Sequence, residues 1–144
     1  METEHQVWSG GPSQIVNLGT FVVCGLVCLT VIGAVVALPY AIWKYLVTRC
    51  QKYEVTSQRI RVHSGILSKT TDEMELYRVK DTKLDQPWFL RLFGLGNVVI
   101  VSNDPTTPIA MIPAIKGAGE LREQLRNLVE QRRDQKRVRI AEVE

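Results

Sequence analysis

The chain has 144 residues, with 18 Lys and Arg against 15 Asp and Glu for a formal net charge of +3. That length holds one small domain and an attached segment, not a multidomain enzyme. Basic residues are interleaved with acidic ones and no aromatic stacking platform stands out, which argues against nucleic acid as a partner.

The charge is unevenly spread. Every Lys and Arg lies at or after Lys44, and the first 43 residues hold only Glu2 and Glu4 as charges. Residues 1–14 read as a short N-terminal segment without a basic residue, unlike the start of a secretory signal peptide. From Ile15 to Tyr45 the only charge is Lys44, and the run is apolar on every helical face. A domain this small cannot cover such a helix, so residues 15–48 are read as a transmembrane anchor. One straight helix through the run would be about 47 Å long, well beyond a hydrocarbon core of ~30 Å. A hairpin of two short helices turning near Gly33 and returning through Pro39 is therefore favoured over a single tilted or kinked span. Asn17, Thr20 and Thr30 are candidates for hydrogen bonds across it. Lys44, Arg49 and Lys52 flank the C-terminal end, with Tyr40, Trp43 and Tyr45 as an aromatic belt, so that end is expected on the cytoplasmic side.

From Gln51 the pattern becomes period two. Tyr53 and Val55, then Ile60 and Val62, then Met74 and Leu76, alternate with polar residues, as half-buried antiparallel strands do. Val79–Gln86 reads as a bulged strand, Asn97–Ser102 as a buried one, and Ile109–Ile112 as a last strand closed by Pro113. Between them Pro87–Gly94 fits one or two helical turns ended by Gly94. From Gly117 to about Arg137 the chain is an amphipathic helix with Ala118, Leu121, Leu125, Leu128 and Val129 on one face. The domain is thus bounded at 51–137, and 138–144 is left as a frayed tail. The fold class is α+β: a bent antiparallel sheet or barrel capped by one C-terminal helix, the architecture of a pleckstrin-homology-like (PH-like) domain.

Tyr53–Ile60 (YEVTSQRI), Ser64–Leu67 (SGIL), Glu75–Asp81 (ELYRVKD) and the FLRLFGLG run through Gly96 together resemble the bacterial PH-like domain of small, N-terminally anchored membrane proteins. The opening Trp8–Ser13 also resembles the segment that precedes the anchor in such proteins. The resemblance covers about Val7 to Arg133. It implies the fold and attachment to a membrane, here the bacterial inner membrane with the domain in the cytoplasm. It implies no enzymatic activity and leaves the partner open.

The residues offer little chemistry. His63 is read as a strand-end residue and not a general base, and Glu73 and Glu75 as a solvated face. Gly94-Leu95-Gly96 lacks the spacing of a phosphate-cradling loop. Met74 and Met111 are assigned to the core. Cys24, Cys28 and Cys50 suit neither a disulfide framework nor a metal site, so no cofactor is expected. Two surface features remain. Lys52, Arg59 and Arg61 have the spacing of a phosphate-binding basic motif, and Arg59 and Arg61 share a sheet face, making them candidate lipid-headgroup contacts. Trp88, Phe89 and Phe93 cannot all face inward on so short a helix and are candidate contacts for a partner or the bilayer interface. The basic run Arg132–Arg139 is a further candidate for anionic lipid or an acidic partner. The expected function is a non-catalytic, membrane-anchored interaction or assembly module, such as an accessory subunit of a membrane complex. The alternative is a membrane-held sensor of lipid headgroups. Expected partners are membrane lipids and membrane proteins.

Overall fold

A computed structural model describes residues 4–141; the first part of the N-terminal segment (1–3) and the end of the expected tail (142–144) lie outside it. Two antiparallel sheets form the domain. The first has strand order β1 (Gln6–Gly10), β2 (Lys52–Thr56), β3 (Arg59–Ser64), β4 (Thr70–Glu75). The second is β5 (Val79–Asp85), β6 (Leu95–Ser102), β7 (Ile109–Lys116). A 3-10 turn at Leu76–Arg78 carries the chain from one sheet to the other.

Alternation places one apolar face of each sheet inward. Val55, Ile60, Leu76, Val79, Val98, Ile100 and Ile112 are fully buried, together with Leu125 of the C-terminal helix α4 (Ala118–Ala141). That helix closes the open side with Ala118, Leu121, Leu125 and Val129, the face its 3.6-residue period marks. It extends past the boundary expected at residue 137, through Val138 to Ala141. Met111 does not join the core: it lies half exposed on the outward face of β7.

The last strand does not stop at Pro113 but runs on to Lys116. β7 is an edge strand, where a missing N–H costs no ladder bond. The chain passes the proline on a bulge: Ala114 takes a φ of 47°, its N–H donating to the Asn97 side chain at 2.9 Å.

Between β1 and β2 the chain leaves the sheet as a helical hairpin. A 3-10 turn at Gln14–Asn17 leads into α1 (Leu18–Val27), and α2 (Val31–Cys50) returns. The turn falls at Cys28–Thr30, just ahead of the expected Gly33. Gly33 is nevertheless what permits it: a Cβ there would sit 2.4 Å from the Val27 carbonyl oxygen. Strand β1 is an element that periodicity did not reveal. It pairs with β2 in register Trp8↔Val55 and Gly10↔Tyr53, so both ends of the hairpin emerge from one edge of the sheet.

Candidate functional site

The domain has two ends of different character. At the hairpin end lie Gly10, Lys52 and Ser64 of the first sheet, Leu95 and Lys116 of the second, and the start of α4. At the far end lie the β2–β3 turn, the 3-10 turn at Leu76–Arg78 and the β6–β7 turn. These far elements are joined by backbone bonds from Leu76 N–H to the Gln58 carbonyl and from Asn103 N–H to the Arg78 carbonyl.

The hairpin is apolar outside and nearly unburied. No residue of α1 is buried, and in α2 only Ala37 and Thr48 are. Leu29, Val31 and Ile32 at the tip are 82%, 87% and 87% exposed. By length and composition α2 is able to cross a membrane, while the Gln14–Val27 arm is shorter. An open groove of about 580 Å³ runs between the arms, floored by the small residues Gly19, Gly33 and Ala37 and flanked by Thr20, Val23 and Tyr40. Thr20 lines this groove, and Thr30 turns back to cap the Val27 carbonyl at 2.7 Å. Asn17 does bridge the arms, donating to the Lys44 carbonyl at 3.2 Å and to Thr48 Oγ1 at 2.5 Å.

The hairpin base is fixed to the second sheet. Ser13 N–H donates to the Ala114 carbonyl, and Ile15 packs on Leu90, Leu95 and Ala114. Leu90 belongs to the short helix α3 (Trp88–Leu92), which Gly94 ends with a φ of 68°. Because Leu90 takes the inward position, its neighbours turn out: Trp88 is 81% and Leu92 77% exposed, with Phe89 and Phe93 partly exposed. Trp88 and Phe89 meet edge to face at 6.0 Å. The β3–β4 turn at the same end presents Leu67 to solvent. Lys69, Arg91 and Lys116 are exposed nearby.

The basic residues singled out from the sequence are brought together only in part. Arg59 and Arg61 share the outward face of β3, and both meet Glu73 of β4: Arg59 Nη1 at 2.9 Å and Arg61 Nε at 2.8 Å. Glu4 adds contacts of 3.4 and 3.8 Å to the same two side chains. The bonds from Arg59 and Arg61 hold the Glu73 carboxyl below the ordinary carboxylate range. Lys52 stands opposite His63 at the hairpin end, while Arg59 stands at the far end, a separation of about 13 Å along the strand. The basic run Arg132–Arg139 is also at the far end, where Arg133 donates to the Val79 carbonyl and Lys136 lies over the Tyr77 ring.

One feature had no sequence signal. A cleft of about 320 Å³ between β5 and α4 gathers Lys80, Arg122, Arg126 and Arg133, with Asp81 and Glu130 on its rim. Arg126 is paired with Glu130 at 3.3 Å. Among the described residues no group of three or more His, Cys, Asp or Glu is placed to hold a metal, and the cysteines are free.

A family model for the bacterial PH domain matches residues 13–129. The match takes in the hairpin and both sheets apart from β1, and ends within α4. No curated protein and no solved structure matches the chain.

Proposed function

From the premise that this chain belongs to the bacterial PH domain family, whose members are generally non-catalytic, we propose that it is a membrane-anchored interaction module serving a larger membrane protein complex as an accessory subunit. The observation that carries this reading is the hairpin: two apolar helices with almost no buried side chain, projecting from one edge of a well-packed sheet domain. In water that surface is strongly unfavourable, at roughly 25 cal/mol per Å² of apolar area, and lipid or neighbouring helices relieve it. Lys44, Arg49 and Lys52 at the base favour a cytoplasmic domain on the bacterial inner membrane.

Two surfaces support contact with protein partners. The groove floored by Gly19, Gly33 and Ala37 suits close approach of another helix. On the second sheet, exposed Ile109 and Met111 stand opposite part-buried Val101 and Val99, giving an outward apolar face that includes an edge strand. At the hairpin end, Trp88, Leu92 and Leu67 are exposed, and we assign them to the bilayer interface, where aromatic side chains concentrate. Phe89 and Phe93 border the same patch.

A lipid-headgroup sensor built on Lys52, Arg59 and Arg61 has weaker support. The two guanidinium groups already face Glu4 and Glu73, and Arg59 lies at the end away from the hairpin. The deciding experiment is purification from native membranes in mild detergent, followed by mass spectrometry. A stoichiometric set of membrane proteins is the expected result. A lone chain, or one accompanied only by an anionic lipid, overturns the subunit role and favours the sensor.

A further inference from the structure

The cleft between β5 and α4 is basic, elongated and open to water. Arg122, Arg126, Val129 and Arg133 recur at i, i+4, i+7 and i+11 of α4, so they form one stripe beside β5. Lys80 lines the cleft from the strand, and four cations thus share it with two carboxylates, Asp81 and Glu130. These cations are loosely held. Arg122 pairs with Glu123 and Arg126 with Glu130, both along the helix surface, and Lys80 pairs with no carboxylate among the described residues. Surface pairs of this kind are weak, so an incoming carboxylate exchanges readily with Glu123 or Glu130.

The strand side of the cleft offers backbone as well as charge. β5 is an edge strand of the second sheet, and two of its backbone groups in the cleft are met by side chains. Arg133 donates to the Val79 carbonyl, and the Thr82 N–H donates to Asp81 Oδ1 at 2.8 Å. Arg133 and Asp81 are themselves exposed, so an extended chain laid along the edge can take over both bonds, as strand addition requires.

Shape and position select the occupant. From Arg122 to Arg133 is about 16 Å along the helix, the span of about five extended residues and longer than a single phosphate group. α4 starts at the hairpin end, and Arg133 lies about 22 Å along it. A lipid headgroup beside the hairpin base therefore reaches only the near end of the cleft, whereas a chain in the aqueous phase reaches all of it.

We infer that the cleft docks an extended acidic peptide segment of a partner protein, about five residues long and with two or more Asp or Glu. This deepens the interaction-module reading and rests on it, by naming the chemistry that one partner brings.

Fluorescence polarisation with the full chain in neutral detergent tests this, the probe being the labelled peptide Gly-Ser-Glu-Val-Glu-Asp-Glu-Gly. Expected is saturable binding that weakens with salt and is lost when Gln and Asn replace Glu and Asp. Lys80→Gln with Arg126→Gln is expected to weaken binding about tenfold. Lys69→Gln with Lys116→Gln removes the same charge outside the cleft and is expected to change it by less than about twofold. All four side chains are exposed, so neither pair of changes touches the core. Equal weakening by the two pairs, equal binding of the neutral peptide, no binding, or displacement by inorganic phosphate at the peptide's own concentration overturns the inference.

Purification of the Lys80→Gln, Arg126→Gln protein from native membranes separates this inference from the subunit role. Expected is that at least one partner washes off at lower salt than from the unmodified chain. Identical retention overturns docking in the cleft and leaves the subunit role standing. An unmodified chain that comes out alone removes the subunit role, and the inference with it.

Discussion

Asn17 Nδ2 lies 2.5 Å from Thr48 Oγ1, and both residues are more than nine-tenths buried although one opens the hairpin and the other nears its close. The same amide also donates to the Lys44 carbonyl, so a single side chain ties the two arms together where they meet the domain.

Breaking this tie from one side leaves a buried polar atom without a partner. Asn17→Leu is expected to destabilise the folded protein by about 1–3 kcal/mol. Adding Thr48→Val to it is expected to cost less than the sum of the two single changes, because the orphaned hydroxyl is removed with its partner. Unfolding midpoints of the four proteins in one detergent check this; strict additivity shows that the bond is not formed.

Of the three glycines in the hairpin helices, Gly33 is the one with no room for a side chain. A Cβ would collide with the Val27 carbonyl at 2.4 Å and with Thr30 Oγ1 at 2.6 Å. Gly33→Val is expected to open the turn, whereas Gly25→Val, where an added Cβ meets nothing within 4 Å, leaves it closed. Spin labels placed at Val22 and Leu38 report the separation of the arms, which is expected to increase and broaden only in the first variant.

The Glu73 carboxyl is held below its ordinary value of 4.5 by its bonds to Arg59 and Arg61. A group whose pKa is depressed by folding contributes stability at pH values above its unfolded pKa, and that contribution fades as pH falls through the depressed value. The unmodified protein is therefore expected to lose stability more steeply below pH 4.5 than Glu73→Gln does, with the two curves converging in acid. At neutral pH the variant is expected to be the less stable of the pair. Parallel curves across pH 2.5–6 in denaturant titrations, over the range the carboxylate pKa brackets, remove the ion cluster from the account of stability.

Trp88 is so exposed that replacing it leaves the core untouched. In protein with Trp8→Phe and Trp43→Phe, the emission of Trp88 is expected to shift to shorter wavelength and to be quenched by lipids carrying a nitroxide near the headgroup once the protein is in vesicles. Emission that stays at the water-exposed wavelength places α3 away from the bilayer.

Much of the fold is local pattern, and that part was legible. Tyr53, Val55, Ile60 and Met74 are buried where period-two alternation puts them, and Leu121, Leu125 and Val129 where helical period does. Leu76 is buried as well, though in a 3-10 turn and not in the strand expected to continue there. What was missed depends on distant partners. QVWSG is an unremarkable pentapeptide until Thr56 and Tyr53, far along the chain, supply its ladder. Pro113 reads as a strand end unless the strand is known to be at an edge. The outward face shared by Arg59 and Arg61 could be read from spacing, but the carboxylates that meet them come from the next strand and from the N-terminal segment. That Trp88, Phe89 and Phe93 cannot all face inward on so short a helix was legible from length and composition; that Leu90 takes the inward position and leaves all three exposed was not.

The pairing of β1 with β2 gives the hairpin two legs instead of one. A domain hung from one flexible strand swivels about it. Two adjacent strands, about 4.8 Å apart and both entering the helices from the same sheet edge, remove that freedom. A force along the hairpin pulls both strands the same way, so their mutual ladder does not slide, and the load passes to β3 and, through Ser13, to β7. The domain therefore keeps a fixed heading relative to its own helices.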